Sequence, residues 1–351
     1  MEQNWWYRLK RNKPALGGGI FLLLGLLLAA FAYLFIPDNS RDANQQDLRL
    51  IALSPGSRVD FLVLPQSNAG EEDPWWWLLG KNQVPARIAL ASYRLAGDSL
   101  WYREWGAAAE LPEQVVAAAG TKVATERFWL GTDVMGRDLL SRLVLGLRVS
   151  LGVGFIAVLI SLLVGVLLGA VAGYYGGWID QVVGWLINVI WSIPSLLLVI
   201  AFSLVMGKGM WQVFLAVGLT MWVDVARMVR GQILGLREQE FVVAARAMGF
   251  SDLRVIFRHL LPNVVGPIVI MSASNFATAI LVESGLGFLG LGVQPPTASL
   301  GMMIKEHYPY IIMDAAYLAM VPGGVILLLV LAFNLFGNGL SDAFDSKMKI
   351  R

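Results

Sequence analysis

The sequence predicts an all-α polytopic membrane protein. It has six transmembrane helices, cytoplasmic N- and C-termini, and a small extracytoplasmic α+β insert between the first two helices. Three observations predict this. Hydrophobic residues make up 57% of the 351 and charged residues only 15%, against slightly under half and about a quarter in soluble domains. Six apolar runs approach or exceed the roughly 20 residues a helix needs to cross a bilayer. Lysine and arginine gather in alternate connecting segments, the pattern that marks cytoplasmic loops. The absence of cysteine excludes disulfides, thiolate metal sites and cysteine nucleophiles. Two histidines, His259 and His307, are too few for a histidine-built metal centre, and a net charge of +2 gives no ground for nucleic-acid binding.

Residues 1–36 form a cytoplasmic N-terminus and the first span. Arg8, Lys10, Arg11 and Lys13 precede the apolar run Ala15–Ile36, which Pro37 ends. Ala30-Phe31-Ala32 has the look of a signal cleavage site. Tyr33–Ile36 carry the run past it, so the helix is read as retained. Residues 37–127 form the insert. Leu50–Leu53 and Val59–Leu64 are short β-like runs split by Pro55-Gly56-Ser57, and Ile88–Leu95 is a further strand. Trp75-Trp76-Trp77 reads as an interfacial anchor or as a stacking platform for a ligand.

Residues 128–351 hold the other five spans. Within Leu130–Arg148, the stripe Leu139, Leu140, Leu143, Val144 and Leu147 lies opposite Arg137, Asp138, Ser141, Arg142 and Arg148. This predicts an interfacial helix on the outer leaflet, serving as a collar or as a gate that includes Asp133, Arg137 and Asp138. The second span, Val149–Ala172, begins a series of small residues every four positions, Ser161, Gly165, Gly169, Gly173 and Gly177, which allows close helix packing. The third, Val182–Met206, carries Pro194, which should kink it. The fourth, Trp211–Ala226, ends near Asp224 and Arg227. The fifth is Val264–Gly290 and the sixth Tyr317–Leu340. Glu283, a carboxylate inside the fifth span, is a functional candidate by default. It lines a pathway, or it sits near the outer interface, hydrated or paired with an arginine. Asn275 poses the same question.

Arg227, Arg230, Arg237, Arg246, Arg254 and Arg258 crowd the segment between the fourth and fifth spans, and Lys347, Lys349 and Arg351 the tail. The opposite short loops hold only Lys208 and Lys305. With six spans the basic segments share one face. In that segment Phe241, Ala244, Ala245 and Met248 fall at i, i+3, i+4 and i+7 of a short helix. Gly249 suits a left-handed cap, and Ser251 or Asp252 can start a second helix. Leu253, Ile256, Phe257 and Leu260 repeat the spacing before Pro262. Two short helices bent at a glycine make either a wedge for a groove on another protein or an ordinary loop folded over the span ends. Gly285–Gly290 satisfies G-x-G-x-x-G but lies within a span, which voids it as a dinucleotide site, and no G-x-x-x-x-G-K-[ST] occurs.

Ala244-Ala245-Arg246-Ala247-Met248-Gly249 followed by Leu261-Pro262-Asn263 resembles the coupling-loop signature of ABC-importer permeases: Glu-Ala-Ala, three residues, Gly, nine residues, Ile-x-Leu-Pro. Val243 replaces the glutamate and His259 the isoleucine. Leu130-Gly131-Thr132-Asp133, Gly136-Arg137-Asp138, Ser141-Arg142, Phe288–Gly292, Gln294–Thr297 and Ala332–Leu335 are similar to the C-type permeases of the dipeptide/oligopeptide/nickel class. The resemblance covers roughly 128–351 plus the first span. It implies a permease subunit of an ATP-driven peptide importer in the bacterial inner membrane. The implied partners are a homologous second permease, two ABC ATPase subunits and an extracytoplasmic binding protein. It also implies that this chain holds no cofactor, catalytic residue or metal, with ATP and Mg on the partner subunits. The coupling loop is 229–263, with Phe241, Ala244, Ala245, Met248, Gly249, Leu261 and Pro262 facing the ATPase. The alternatives are nickel or opine as substrate, or an ion-gradient-driven transporter or channel. The latter needs an intramembrane charge network or inverted repeats, and the sequence offers only Glu283.

Overall fold

A computed structural model describes residues 5–65, 74–82, 84–108 and 111–344; the basic tail Lys347, Lys349 and Arg351 lies outside the described residues. The chain opens with α1 (Trp5–Arg11), α2 (Lys13–Ala30) and α3 (Ala32–Phe35). The insert contributes β1 (Ser57–Val63), α4 (Trp76–Leu79), β2 (Arg87–Ala96), β3 (Ser99–Glu104), β4 (Gln114–Ala117) and β5 (Lys122–Phe128). There follow α5 (Leu139–Tyr175), α6 (Gly177–Trp191), α7 (Ser195–Met206), α8 (Met210–Leu236), α9 (Glu240–Ala247) and α10 (Asp252–Arg254). A π-helical turn (Val255–Leu260) joins α10 to α11 (Leu261–Leu289), and α12 (Leu300–His307) and α13 (Tyr317–Phe344) complete the chain. Five helical stretches are long and apolar enough to cross a membrane, and α6 with α7 as one broken span makes six. The elements fall into two compact units, residues 1–25, 150–294 and 324–351, and residues 26–149 and 295–323.

In the first unit the small-residue series does what its spacing suggests. A Cβ added at Gly165 would lie 2.7 Å from the Trp222 carbonyl oxygen, at Gly169 2.5 Å from that of Ala226, and at Gly173 2.9 Å from that of Arg230. The backbones of α5 and α8 therefore meet, and only glycine fits between them. Gly177 is outside the seam, at the start of α6 with φ +53°. Pro194 does more than kink the third span. α6 and α7 are separate helices bent by 89°, because proline disfavours helical geometry in its predecessor and donates no hydrogen bond. The fourth span runs ten residues beyond Ala226, where the Arg230 guanidinium forms a paired contact with Asp180 of α6, Nη2 to Oδ2 at 2.7 Å. The N-terminal span packs on the last one, with Gly339 close against Ala15.

In the second unit the insert is an antiparallel sheet of order β4-β3-β2-β1-β5. β1 pairs Phe61 with Ala89 of β2 and with Ala124 of β5. Successive residues of a strand point to opposite faces: Phe61 joins Leu50, Val59, Ala89 and Phe128 in one cluster, and Leu62 joins Leu90, Leu100 and Tyr102 in another. The expected strand at Leu50–Leu53 is instead a 3₁₀ turn, Leu48–Leu50, because the Asp47 carboxylate accepts the Arg49 N–H and starts it. In the tryptophan turn, Trp77 stacks on Phe31 at 6.0 Å and Lys81 lies over Trp76 at 5.1 Å. Arg148 of α5 donates to the Leu78 carbonyl at 2.7 Å, so this turn rests on the end of the first span.

Candidate functional site

The stretch 130–148 corrects the interfacial-helix expectation. Asp138 and the residues before it form a loop, and α5 runs unbroken from Leu139 to Tyr175. Arg137, Asp138, Ser141 and Arg142, expected on a solvated face, are at most 2% exposed. Their neighbours account for it. Asp133 accepts the backbone N–H of Met135 and Arg137 at 2.8 and 2.9 Å and the Arg137 Nε–H at 2.5 Å. Arg137 Nη2 donates to Glu306 of α12 at 2.8 Å. Arg142 Nε stands 3.7 Å from Asp133 and Nη2 3.9 Å from Glu306. Buried charges persist where they are paired in this way. Glu306, about 170 positions along the chain from Arg137, carries no local sequence signal and was missed by sequence reasoning. The two glycines of the motif are required by the backbone. Gly131 and Gly136 have φ +78° and +70°, and a Cβ would fall 2.1 Å from the Leu53 oxygen and 1.8 Å from the Asp47 oxygen.

Asp138 accepts the Ser141 N–H at 2.7 Å and its hydroxyl, capping α5. Burial pushes its carboxyl up to about 6, the Ser141 hydrogen bonds oppose the rise, and the nearby Asp38 charge adds to it. His307 holds Nδ1 2.6 Å from the Met303 oxygen, and burial keeps it below the usual histidine range. Asp133, Glu306 and His307 bring donor atoms within 4.8 Å of one another, as metal ligands would. Two guanidinium groups already answer both carboxylates, so the cluster fits an ion-pair network rather than a cation site.

Within α11, Glu283 is fully buried and accepts the Ser150 hydroxyl of α5 at 2.8 Å. Asn275 is 5% exposed, and its Nδ2 finds no hydrogen-bond acceptor among the described residues.

The glycine-bent loop forms as expected, with Gly249 at φ +79° and Phe250 N–H bonded to the Ala245 oxygen at 3.2 Å. Its expected apolar face divides in two. Ala245 is buried with Val242, Ile256 and Leu260 against Tyr174 of α5 and Val229 and Ile233 of α8. Phe241, Met248, Leu253 and Phe257 stand between 42% and 66% exposed, and Ala244 is exposed too. Tyr174 donates to Asp252 at 2.6 Å and its ring carries the Arg246 guanidinium at 4.6 Å, which fastens the loop to α5. Pro262 does not end the second helix. It sits in the first turn of α11, where proline has no hydrogen bond to break, and Leu261 opens that helix. Within 229–263 the first eight residues continue α8, which reaches Leu236.

Residues 165–350, more than half of the chain, match the family model described as binding-protein-dependent transport system inner membrane component. The chain belongs to that family. A second match, to the N-terminal TM domain of oligopeptide transport permease C, covers residues 3–55. The permease is 42% identical over 221 residues to the dipeptide transport system permease protein DppC of Alkalihalophilus pseudofirmus, covering 63% of this chain and 72% of that one. It is 41% identical, with 63% and 73% coverage, to the glutathione transport system permease protein GsiD of Pectobacterium atrosepticum. Among solved structures it resembles the inward-facing MetNI methionine ABC transporter, with a TM-score of 0.47, 20% identity and coverage of 57% of this chain and 96% of that chain. It is a multi-pass permease of the bacterial inner membrane, and its relatives are transport permease subunits.

Proposed function

We propose that the permease carries peptides as one half of the membrane pathway of an ATP-driven importer. It pairs with a homologous permease, two ABC ATPase subunits and an extracytoplasmic binding protein, with ATP and Mg held by the ATPases. Both termini lie in the cytoplasm, in accord with the arginines of the 227–258 segment. The observation that carries the reading is the loop at Gly249, which presents Phe241, Met248, Leu253 and Phe257 to solvent from a rigidly packed base. Large exposed apolar side chains on a fixed helical turn are what a groove on another protein would take. The relatives named for dipeptide and glutathione transport support peptides as cargo.

The test is reconstitution of the complete transporter with Met248→Asp and Gly249→Val. A charge at 248 meets the partner surface and leaves the permease interior untouched. Valine at a positive φ costs roughly 1–2 kcal/mol, although open space surrounds that position. Both variants should insert normally and lose ATPase co-purification or substrate-stimulated hydrolysis. Normal pumping by both would remove the loop as the coupling element. Ala245→Asp is unsuitable for this test, since Ala245 lies in the permease's own core.

A further inference from the structure

Asp224 is the fifteenth of the 27 residues of α8, about 20 Å from either end at 1.5 Å per residue. It is exposed, and among the described residues it makes no hydrogen bond or ion pair. Beside it lies the break between α6 and α7. A cavity of about 210 Å³ is lined by Ile190, Trp191 and Pro194 from the break and by Thr220, Val223 and Asp224 from α8. Residues 192–195, where the helix is interrupted, are exposed as well. Arg227, one turn along α8, is occupied with the Trp191 ring at 3.7 Å. An exposed carboxylate and an exposed stretch of non-helical backbone are each poorly tolerated in lipid, and such backbone occurs at membrane depth where it is buried in protein or lines a water-filled cavity. Two unrelated features thus select the same side of the same two spans as the wet one. Broken helices beside a charged side chain are also where membrane carriers build binding sites.

We propose that Asp224 and the Pro194 break form a subsite on the translocation path, and that the Asp224 carboxylate receives a protonated amine such as the amino terminus of a passing peptide. This rests on the peptide-importer reading above. Besides Asp224, the walls carry two neutral hydroxyl groups, Ser195 and Thr220, and are otherwise apolar or aromatic, with Trp191, Leu198 and Val223 among them.

The absence of cysteine in this chain makes the site directly readable in the complete transporter, assembled with cysteine-free partners. Ser195→Cys lines the same cavity and should react with membrane-impermeant methanethiosulfonates, whereas Leu163→Cys, on an exposed apolar position of α5, should not. Adding Asp224→Asn should lower the ratio of cationic to anionic reagent rates at position 195 about tenfold, the effect of one nearby charge in a medium of reduced dielectric. A purely structural role for Asp224 would leave that ratio unchanged. Peptide turnover should fall with Asp224→Asn and recover with Asp224→Glu. An unreactive thiol in the Ser195→Cys variant, as when the second permease covers the site, overturns the proposal, as does an unchanged charge ratio. If the wild-type complex moves no peptide while the charge ratio behaves as stated, the cargo reading fails and the amine subsite stands.

Discussion

Around Arg137 four charged side chains are packed away from solvent, while around Gly249 four large apolar ones stand in it. The side chains of Asp133, Arg137 and Arg142 are at most 2% exposed and that of Glu306 16%. Phe241, Met248, Leu253 and Phe257 run from 42% to 66%. Both regions invert the ordinary distribution of polar and apolar groups, and the way each is completed differs. The ion network finds its partners inside the chain. The loop is packed only on its inner side, by Val242, Ala245, Ile256 and Leu260, and its outer side is exposed. Inversion with partners present marks an internal structural joint, and inversion without them leaves the apolar surface that the coupling proposal assigns to a partner.

The largest effect should come from breaking the internal joint. Arg137→Met leaves Asp133 and Glu306 buried without their main counter-charge, which costs about 3–5 kcal/mol. Thermal unfolding of the purified permease should drop sharply, and the triple change Arg137→Met, Asp133→Asn, Glu306→Gln should regain most of the loss. A tolerated single change would mean the network is not closed to water. Next comes Asp138. Its folded carboxyl is raised to about 6, above the ordinary value near 3.9, so the folded state binds this proton more tightly. Its contribution is therefore full below about pH 4 and is lost as pH rises through 6, at most roughly 3 kcal/mol. Asp138→Asn should flatten the stability slope between pH 4 and 7, measured as unfolding midpoints across that range. The smallest effect on the permease itself is expected at the loop. Phe257→Ser should shift its stability by no more than about 0.5 kcal/mol while weakening ATPase retention on a column. A large loss of permease stability instead would move Phe257 from the exposed surface into the core.

The spans were legible because membrane crossing demands long apolar runs, and each of the six runs found its helix or, at Pro194, its broken pair. The close seam of Gly165, Gly169 and Gly173 was legible from spacing alone. What the spacing concealed was tertiary. Arg137 and Arg142 read as a solvated face because Glu306, which draws Arg137 inward, is far along the chain. The periodicity of Phe241, Ala244, Ala245 and Met248 marked an apolar helix, yet it could not tell the half that packs on α5 and α8 from the half left outside. In the insert, β1 and β2 announced themselves as short runs rich in apolar residues, Val59–Leu64 after the turn at Pro55-Gly56-Ser57 and Ile88–Leu95. β4 and β5 are mostly exposed along their length, and so carried little hydrophobic pattern to detect. Asp224 looked like a soft end to the fourth span, and only the full length of α8 puts it half-way along.

The Asp38 N–H donates to Ser141 Oγ at 3.1 Å, so the chain leaves the first span and enters the second at almost the same point. About a hundred residues are looped out from that stitch. The entropy of closing a loop grows with the logarithm of its length, about 0.6 kcal/mol for each doubling. A descendant with half this segment, or an ancestor that acquired it, would hold its first two spans together at nearly the same cost. Closure entropy thus sets almost no limit on the length of this region, and a shorter sheet in place of residues 57–128 should leave the stitch between Asp38 and Ser141 intact.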